Sequence, residues 1–419
     1  MALKGEARMP RHSHDARTES QVAADVVHDT AFSVPFVHRL RFTRNVFDAA
    51  NHVLADVLGE PANGPHRLLV CLDEGVAGAW PRLPQRIAGY MRAHRDRMAL
   101  AAEVLIVRGG EAAKNDRRVF EAVIEAIHRA RICRQSFVLV IGGGAVLDAV
   151  GFAAAAAHRG VRLVRLPTTT LAQDDSGVGV KNSINAFGKK NFLGSFSPPW
   201  AIINDELFLT TLAARDWRSG FSEAVKISLV RDAAFFEHIE KAAPQLARGK
   251  IDAAALSAAR PVIRRSAELH ARHIVAGDDA FELTEARPLD FGHWSAHMLE
   301  QMTDFELRHG EAVAIGIAID VVYSSLMQML QPAEADRVIA CLESLGFALH
   351  HVALRRPYRL LDGLEEFREH LGGPLTITLL EGIGRPVDVH EIDRTRMIEA
   401  IETLQARASS SPRLLHCAG

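Results

Sequence analysis

Residues 137–157, FVLVIGGGAVLDAVGFAAAAA, decide the fold of this chain. The first five residues form a continuous apolar run, which is typical of a strand covered on both faces of a parallel sheet. Gly142, Gly143 and Gly144 follow at once, and a stretch of helical character comes after them. Glycines let the backbone approach a pyrophosphate, and the next helix offers free N–H groups at its amino terminus. This stretch predicts a strand, a phosphate-binding turn and a helix, with a tight turn that binds nothing as the alternative.

Short apolar runs alternate with helical stretches on both sides of this motif, which is typical of a parallel α/β sheet. After Asp205 the strand signals fade and helical spacing dominates. We predict an α/β, Rossmann-like domain over residues 31–205 and a mainly α-helical domain over residues 206–407. The predicted strands are Leu68–Leu72, Val104–Val107, Phe137–Ile141, Val161–Leu166 and Ala201–Ile203, and the predicted helices are Arg215–Leu229, Pro261–His273, His293–Met302 and Glu311–Met329.

Composition and net charge exclude a chain without a packed core and a general binder of nucleic acid or anionic membranes. The chain has 419 residues, 48% of them hydrophobic, so it has the apolar content for a packed core and two domains. Its 49 Lys and Arg against 51 Asp and Glu give a net charge of −2. That balance leaves no surplus to attract nucleic acid or an anionic membrane, and any anion site must be local.

The two ends of the chain, its apolar stretches and its cysteines predict the cellular compartment of the protein. Residues 1–30 lack the apolar core of a signal peptide and are predicted as a loose extension, and the Ser-rich residues 408–419 as a flexible tail. The longest apolar stretches end at His158 and Asp320, too early to span a bilayer. Four cysteines without a C-x-x-C pair fit reduced thiols in a cytoplasmic protein.

Two histidines and a carboxylate in the helical half suggest a metal site. Glu223, His293 and His309 offer the ligand types of a hydrolytic or Lewis-acid zinc site. Among 20 histidines a chance trio is easy to assemble, and His297, four residues after His293, makes a second pair that is equally acceptable. The motif HExxH is absent, which argues against a zincin protease.

A lysine-rich segment with many glycines follows the predicted sheet. Residues 171–196 predict a loop rather than core, and its ammonium and N–H groups suit a phosphorylated, polyhydroxylated ligand. A solvated surface loop is the alternative. Lys226 lies one turn after Glu223 and faces the same side of its helix. The polar members of the segment are Asp174, Asp175, Lys181, Asn182, Lys189, Lys190 and Asn191.

In these residues and the motifs around them, the sequence resembles the sugar phosphate cyclases of the dehydroquinate synthase type. The resemblance covers roughly residues 70 to 385, and the order of its blocks is far more specific than any single motif. The matching blocks are GEAAKN at 110–115, GGGAVLDAVGFAA at 142–154, RG at 159–160, LPTTTLAQDDSGVGVKNSIN at 166–185, GKKNFLG at 188–194, GFSEAVK at 220–226, LDFGHWSAH at 289–297 and HGEAVAIG at 309–316.

The resemblance implies roles for individual residues and for two cofactors, NAD and a divalent zinc or cobalt ion. Glu223, His293 and His309 match the metal ligands, and His297 matches a nearby active-site histidine. The positions that match the NAD-binding region are Asp73, Glu111, Lys114, Gly143, Gly144, Asp148, Thr168 and Thr169. The positions that match or lie near the substrate site are Arg159, Asp175, Lys181, Lys190, Asn191, Lys226, Arg272, Arg287 and Asp290.

The resemblance also implies a reaction. In the family, NAD transiently oxidises a ring hydroxyl, phosphate leaves by elimination, the hydride returns, and an intramolecular aldol step closes a carbocycle. The metal acts as a Lewis acid and the lysines stabilise developing negative charge. NAD is regenerated in each turnover, so the enzyme is a lyase acting on phosphates. A homodimer is implied in the same way.

Departures from the family pattern bear on the substrate. Dehydroquinate synthases read LNFGHTFGH where this chain reads LDFGHWSAH, so Asp290 replaces Asn and Trp294 replaces Thr. A carboxylate at Asp290 disfavours an acidic substrate, so we predict a sedoheptulose 7-phosphate cyclase that makes a C7 cyclitol of the 2-epi-valiolone type. The alternative is a 3-dehydroquinate synthase in which Arg287 neutralises Asp290. Arg272 stands where dehydroquinate synthases tend to have Lys.

Two other functions are consistent with the predicted architecture. Metal-dependent polyol dehydrogenases share the predicted architecture, but the lysines at 181, 190 and 226 argue against them. A sensor of sugar phosphates that has lost turnover is disfavoured by the intact metal trio.

Overall fold

The computed structural model describes residues 28–276, 280–281 and 288–410. The chain divides into two units, Met1–Phe36 and Val37–Gly419. In the first unit, residues 28–36 form no helix or strand. The predicted loose extension lies outside the described residues except for its last three, and the predicted tail does so from residue 411 onward. The last helix runs to Ser410, three residues past the predicted domain end at 407.

The second unit contains all the regular elements of the described residues. The strands are β1 (Leu40–Thr43), β2 (His66–Asp73), β3 (Met98–Leu100), β4 (Leu105–Val107), β5 (Phe137–Gly142), β6 (Arg162–Pro167), β7 (Lys181–Ala186), β8 (Lys189–Phe196), β9 (Ala201–Asp205), β10 (Ile377–Gly382) and β11 (Arg385–Val389). The helices of the sheet half are α1 (Val53–Leu58), α2 (Glu74–Ala79), α3 (Leu83–Ala93), α4 (Ala112–Asn115), α5 (Arg117–Arg129) and α6 (Gly144–Ala156).

The helical half follows β9. Its helices are α7 (Ala214–Ser219), α8 (Phe221–Arg231), α9 (Ala233–Leu246), α10 (Ala253–Ala276), α11 (His293–Met302), α12 (His309–Leu326), α13 (Pro332–Ser344), α14 (Pro357–Leu371) and α15 (Arg394–Ser410). Short 3-10 helices occur at Ala157–Arg159, Glu206–Thr211, Pro288–Asp290 and Val352–Arg355, and a π-helical turn occurs at Ala172–Ser176.

A seven-stranded parallel sheet organises the first half, as predicted. Its order is β1-β9-β6-β5-β2-β3, with β4 also paired to β2. Successive residues of a strand face opposite sides, so β5 sends Phe137 and Leu139 into one core and Val138 and Val140 into another. Helices α1 and α3 cover the first face, and α5 and α6 cover the second. Burial on both faces explains the continuous apolar runs.

The lysine-rich segment is not the predicted loop. It forms the π-helical turn and then an antiparallel hairpin of β7 and β8. Phe187 and Gly188 turn the chain with φ angles of 54° and 74°, the left-handed conformation that a two-residue hairpin requires. Ile184 and Leu193 pack into the core beside α6, so only two apolar side chains were needed to anchor a strand pair in a mostly polar sequence.

One large core holds the helical half together. Helices α8, α9, α11 and α12 contribute its centre, and the unpredicted hairpin β10–β11 closes one side. The predicted helix 215–229 is divided at Gly220 into α7 and α8, and a Cβ at Gly220 would lie 2.5 Å from the backbone of residues 170 and 171, which explains a glycine at this junction. Among the described residues, none of the helices has the length and apolarity to cross a bilayer.

Candidate active site

The predicted metal trio comes together where three helices begin. Glu223 lies in the first turn of α8, while His293 and His309 are the first residues of α11 and α12. Glu223 Oε1 is 3.6 Å from His293 Nε2 and 3.3 Å from His309 Nε2. One ligand atom from each residue lies within 4.8 Å of the other two. The chain thus brings together the trio that the family resemblance implied as metal ligands.

The remaining ring nitrogens of both histidines are held by acceptors. His293 Nδ1 lies 3.1 Å from the carbonyl oxygen of Phe291, and His309 Nδ1 lies 3.3 Å from Glu300 Oε2. Donation through Nδ1 orients each ring with Nε2 toward the shared centre, where a bound metal would replace any Nε2 proton, as metal-ligating histidines require. Two imidazoles and a fully buried carboxylate arranged in this way fit a divalent zinc or cobalt ion.

Burial and neighbouring charges shift the pKa values of the three predicted metal ligands. Burial, with Lys226 nearby, holds the pKa of His293 well below its ordinary value, so this ring is neutral. Burial also lowers the pKa of His309, but Glu300 and Glu223 outweigh it and raise that pKa to about 10. Burial raises the pKa of Glu223, yet Lys226 and His309 hold it well below its ordinary range.

Lys226 stands at the centre of a second group of charges. Its Nζ lies 2.6 Å from Glu223 Oε2, and only 4% of its side chain is exposed. Burial lowers the pKa of Lys226, but the surrounding carboxylates, Glu223 first and Asp290 among them, raise it above its ordinary value. Asp290 therefore lies within the electrostatic reach of Lys226, in the 3-10 turn that precedes His293.

Asp175 joins this group through a histidine that sequence reasoning did not single out. His270 Nε2, on α10, lies 3.0 Å from Asp175 Oδ1. His270 is 2% exposed, and its Nδ1 lies 3.0 Å from the carbonyl oxygen of Ser266. Burial raises the pKa of Asp175, yet His270 and Lys226 outweigh it and hold the value below its ordinary range.

The hairpin brings predicted cofactor and substrate residues into one network. Lys114 Nζ donates to Asp148 Oδ2 at 2.7 Å and to Ser183 Oγ at 3.1 Å, and it also bonds Asn191 Oδ1. Glu111 accepts a bond of 2.7 Å from Asn185 Nδ2 in the same hairpin. Lys114 thus ties helices α4 and α6 to the hairpin.

The hairpin β7–β8 also determines the positions of two predicted substrate-binding lysines, Lys181 and Lys190. Lys190 reaches the helical half, where its Nζ is 2.7 Å from Glu300 Oε1. Lys181 starts β7 with an exposed side chain.

The predicted nucleotide residues line the carboxyl edge of the sheet. Asp73 ends β2, caps α2 by accepting a bond of 2.8 Å from the Gly75 N–H, and lies against the Gly109 and Gly142 backbones. Burial raises its pKa. A Cβ on Gly142 would lie 3.1 Å from the Asp73 Cβ, which explains a glycine there.

The glycine turn itself is packed from the adjacent loop. Gly143 precedes α6 and lies against the Thr169 methyl group, and Gly144 opens the helix against Ser176. Thr168 donates its N–H to the Gly142 carbonyl at 3.0 Å. The Thr169 hydroxyl caps the turn that follows by accepting from the Ala172 N–H at 3.1 Å.

Of three arginines predicted at or near the substrate, two are exposed and the third lies outside the described residues. Arg159 is exposed just beyond the carboxyl end of α6. Arg272 is exposed on α10, where the neighbouring His270 takes the inward position. Arg287 lies outside the described residues.

Several buried polar groups near the site were not assigned roles from sequence. Both carboxylate oxygens of Asp174 are buried without a hydrogen bond from the described residues, and burial followed by Asp175 raises its pKa well above the ordinary value. Glu300 follows His293 and His297 at the helical spacing i, i+4, i+7, a signal that was available from sequence alone. Arg165, buried on β6 and donating to the Gly177, Gly179 and Lys181 carbonyl oxygens, had no such signal, and neither had His270.

Comparison with known proteins agrees with this geometry. Residues 104–219 match the family model for the 3-dehydroquinate synthase N-terminal domain, and residues 220–364 match that for its C-terminal domain. The chain belongs to the 3-dehydroquinate synthase family of sugar phosphate cyclases. Curated relatives include the 3-dehydroquinate synthases of Bradyrhizobium sp. (33% identity; 80% of this chain, 86% of that protein) and Paracoccus denitrificans (35% identity; 79% and 87%).

Solved structures of family members share this fold. 2-epi-5-epi-Valiolone synthase from Streptomyces hygroscopicus subsp. jinggangensis, with NAD+ and Zn2+ bound, is 28% identical, covers 91% of this chain and 100% of its own, and superposes with a TM-score of 0.79. A probable glycerol dehydrogenase from Sinorhizobium meliloti, 17% identical with a TM-score of 0.57 over 89% and 98% of the chains, shares the fold alone. The expectation that polyol dehydrogenases share this architecture is thus confirmed for the fold.

Proposed function

We propose that this family member is an NAD- and metal-dependent lyase that converts sedoheptulose 7-phosphate to a C7 cyclitol of the 2-epi-valiolone type, with loss of phosphate. The carboxylate of Asp290, within electrostatic reach of Lys226 beside the metal trio, is the observation that carries the substrate assignment. The similarity to a valiolone synthase across that protein's whole length supports it.

Glu223, His293 and His309 are the residues that would hold the metal. A zinc or cobalt ion bound there supplies a Lewis acid for a substrate oxygen. Lys226 lies beside the set and stabilises negative charge that develops on the substrate. Asp175, held by His270, is an acceptor for a substrate hydroxyl, and its carboxylate lies within 4.8 Å of a Glu223 carboxylate oxygen.

The nucleotide and phosphate ends of the site lie on the sheet half. Asp73 and the turn at Gly143 and Gly144 stand at the carboxyl edge of the sheet, where α/β proteins hold dinucleotides. Lys190 and Lys181 on the hairpin supply cations for the substrate phosphate. The hairpin joins both ends, because Lys114 links it to Asp148 on the helix after the glycine turn.

The choice of substrate follows from charge. Sedoheptulose 7-phosphate has a neutral hydroxymethyl group where the heptulosonate substrate of dehydroquinate synthases has a carboxylate. Asp290 adds a negative charge relative to the family's Asn at this position. At about 6 Å and an effective dielectric of about 20, two carboxylates repel by roughly 2–3 kcal/mol. Lys226 does not remove this difference, because it is already paired with Glu223 at 2.6 Å.

A second candidate is a 3-dehydroquinate synthase that acts on the heptulosonate phosphate. The names of the curated relatives favour it, since those relatives are 33–35% identical to this chain over about four fifths of its length. In that case a cation neutralises Asp290 when the acidic substrate binds.

Incubation of the purified protein with NAD and zinc tests the two candidates. Each sugar phosphate is supplied alone, and both phosphate release and the cyclised product are measured. Turnover of sedoheptulose 7-phosphate supports the proposal, and turnover of the heptulosonate alone overturns it. Net accumulation of NADH from a simple polyol would favour a dehydrogenase instead.

We also propose a cytoplasmic homodimer. The buried free thiols of Cys71 and Cys341 are consistent with a reducing compartment, and the dimer rests on the family resemblance. Light scattering coupled to gel filtration measures the assembly directly, and a monomer at micromolar concentration would contradict it.

A further inference from the structure

We propose that Glu300 is a positioning residue that couples the metal set to the phosphate-binding lysine, Lys190. Its two carboxylate oxygens serve different partners: Oε1 accepts from Lys190 Nζ at 2.7 Å, and Oε2 lies 3.3 Å from His309 Nδ1. Only 3% of the Glu300 side chain is exposed. The phosphate role of Lys190 rests on the proposed function, whereas the metal contact does not.

Glu300 reaches both partners because of its place on α11. His293, His297 and Glu300 follow each other at i, i+4 and i+7, so they lie on one face of the helix. His293 points at Glu223 from the first turn, and Glu300 meets His309 from the last. The helix therefore supplies one metal ligand directly and orients a second through its carboxylate.

The contact with His309 bears on metal affinity. A carboxylate that accepts from the outer nitrogen of a ligating histidine fixes the ring and raises the basicity of the inner nitrogen. Removing such a partner typically weakens metal binding by roughly 10–100-fold. His293 has a neutral carbonyl oxygen in the same place, so Glu300 is the charged member of the two supports.

The contact with Lys190 bears on phosphate binding. Lys190 belongs to the hairpin of the sheet half, and Glu300 and His309 belong to the helical half, so this ion pair joins the two. Its ammonium also lies 4.9 Å from the Phe305 ring. A phosphate that recruits Lys190 must compete with the Glu300 carboxylate. Glu300 therefore holds the lysine at the site while weakening its attraction for phosphate.

The substitution Glu300→Gln separates these two effects, because it keeps the shape and removes the charge. Zinc affinity, measured by competition with a chromogenic chelator, is expected to fall roughly 10–100-fold. Affinity for inorganic phosphate, measured by calorimetry at saturating zinc and NAD, is expected to rise several-fold because Lys190 is released. A merely structural residue would not move the two affinities in opposite directions.

Glu306→Gln is the matched control, since Glu306 is an exposed carboxylate on the loop between α11 and α12. It should leave both affinities unchanged. Unchanged zinc affinity in Glu300→Gln overturns the metal half of the proposal, and unchanged or weaker phosphate binding overturns the coupling. Neither measurement uses a sugar phosphate, so a failure here is distinct from a failure of the proposed substrate.

Lys190→Gln keeps the proposal falsifiable if Glu300→Gln does not fold. This change removes the cation and leaves Glu300 to His309 alone. Phosphate affinity is expected to fall while zinc affinity is kept or increased. A parallel loss of zinc affinity would overturn the proposal.

Discussion

Trp294 donates its indole N–H to Asp320 Oδ1 at 2.8 Å, deep in the core between α11 and α12. The other oxygen of Asp320 accepts the Gly292 N–H at 3.0 Å. Asp320 thus holds the residues on both sides of His293, and it is fully buried. The departure Trp294, which sequence reasoning linked to the substrate, has a partner in the core that no motif revealed.

The buried carboxyl of Asp320 makes stability depend on pH. Burial raises its pKa to about 7, against the opposing bonds from Trp294 and Gly292. An unfolded aspartate titrates near 3.9, so the folded state binds more protons between these two values. Stability from this group is full below roughly pH 4 and declines as the pH rises to about 7, by up to about 1.4 kcal/mol per pH unit.

Urea unfolding of the wild type and of Asp320→Asn across this pH range checks the prediction. The difference in unfolding free energy between the two proteins should change steadily in favour of Asp320→Asn as the pH rises. A difference that stays constant with pH would contradict the assignment. Asp304→Asn, at an exposed carboxylate of the same half, is the control.

Gly316→Ala is expected to destabilise the protein and weaken metal binding. A Cβ at this position would lie 2.0 Å from the Gly292 carbonyl oxygen, so α12 would push away the turn that carries His293. Overpacking of this kind costs about 1–3 kcal/mol. Thermal unfolding and zinc content measure the two effects. Normal zinc content in a destabilised Gly316→Ala protein would show that the turn does not transmit the shift to His293.

Lys114→Met is expected to lower stability by about 2–4 kcal/mol, because it leaves Asp148 largely buried and unpaired. Adding Asp148→Asn should restore part of the loss, since the uncompensated charge is then gone. Lys189→Met, at an exposed lysine of the same hairpin, should change stability by less than about 0.5 kcal/mol. Urea unfolding compares the variants, and equal losses for both lysines would refute the argument.

Asp290→Asn is expected to shift substrate preference toward the heptulosonate phosphate. Removing roughly 2–3 kcal/mol of repulsion corresponds to a rise of roughly 30- to 150-fold in the ratio of kcat/KM for the acidic substrate over sedoheptulose 7-phosphate. Steady-state kinetics with both substrates measure that ratio. Glu306→Gln serves again as the control, and an unchanged ratio would remove Asp290 from substrate selection.

Sequence patterns predicted much of the fold. The five predicted strands of the parallel sheet are confirmed, because a strand buried on both faces needs an apolar run that is visible locally. The hairpin β7–β8 was missed, since it is anchored by only Ile184 and Leu193. Hairpin β10–β11 was missed because it packs on a helical core assembled from distant residues.

The residue types of the candidate site were equally visible, but their pairings were not. Glu223, His293 and His309 offered the ligand types, the family resemblance implied them as the metal set, and they converge in the structure. Arg272 is exposed on α10 whereas His270 is buried, because two residues along a helix turn a side chain by about 200° and no local signal fixes that rotation.

Sequence by itself determined the strands of the parallel sheet, the glycine turn, the family and the metal ligand types, because each depends on local spacing and on the chemistry of single side chains. Tertiary structure alone decided which polar groups share a partner. Glu300 serves both His309 and Lys190, Asp320 serves Trp294, and these contacts join helices and strands that are distant along the chain. Such pairings depend on how packed elements are rotated against each other, which the whole core sets and a local stretch does not.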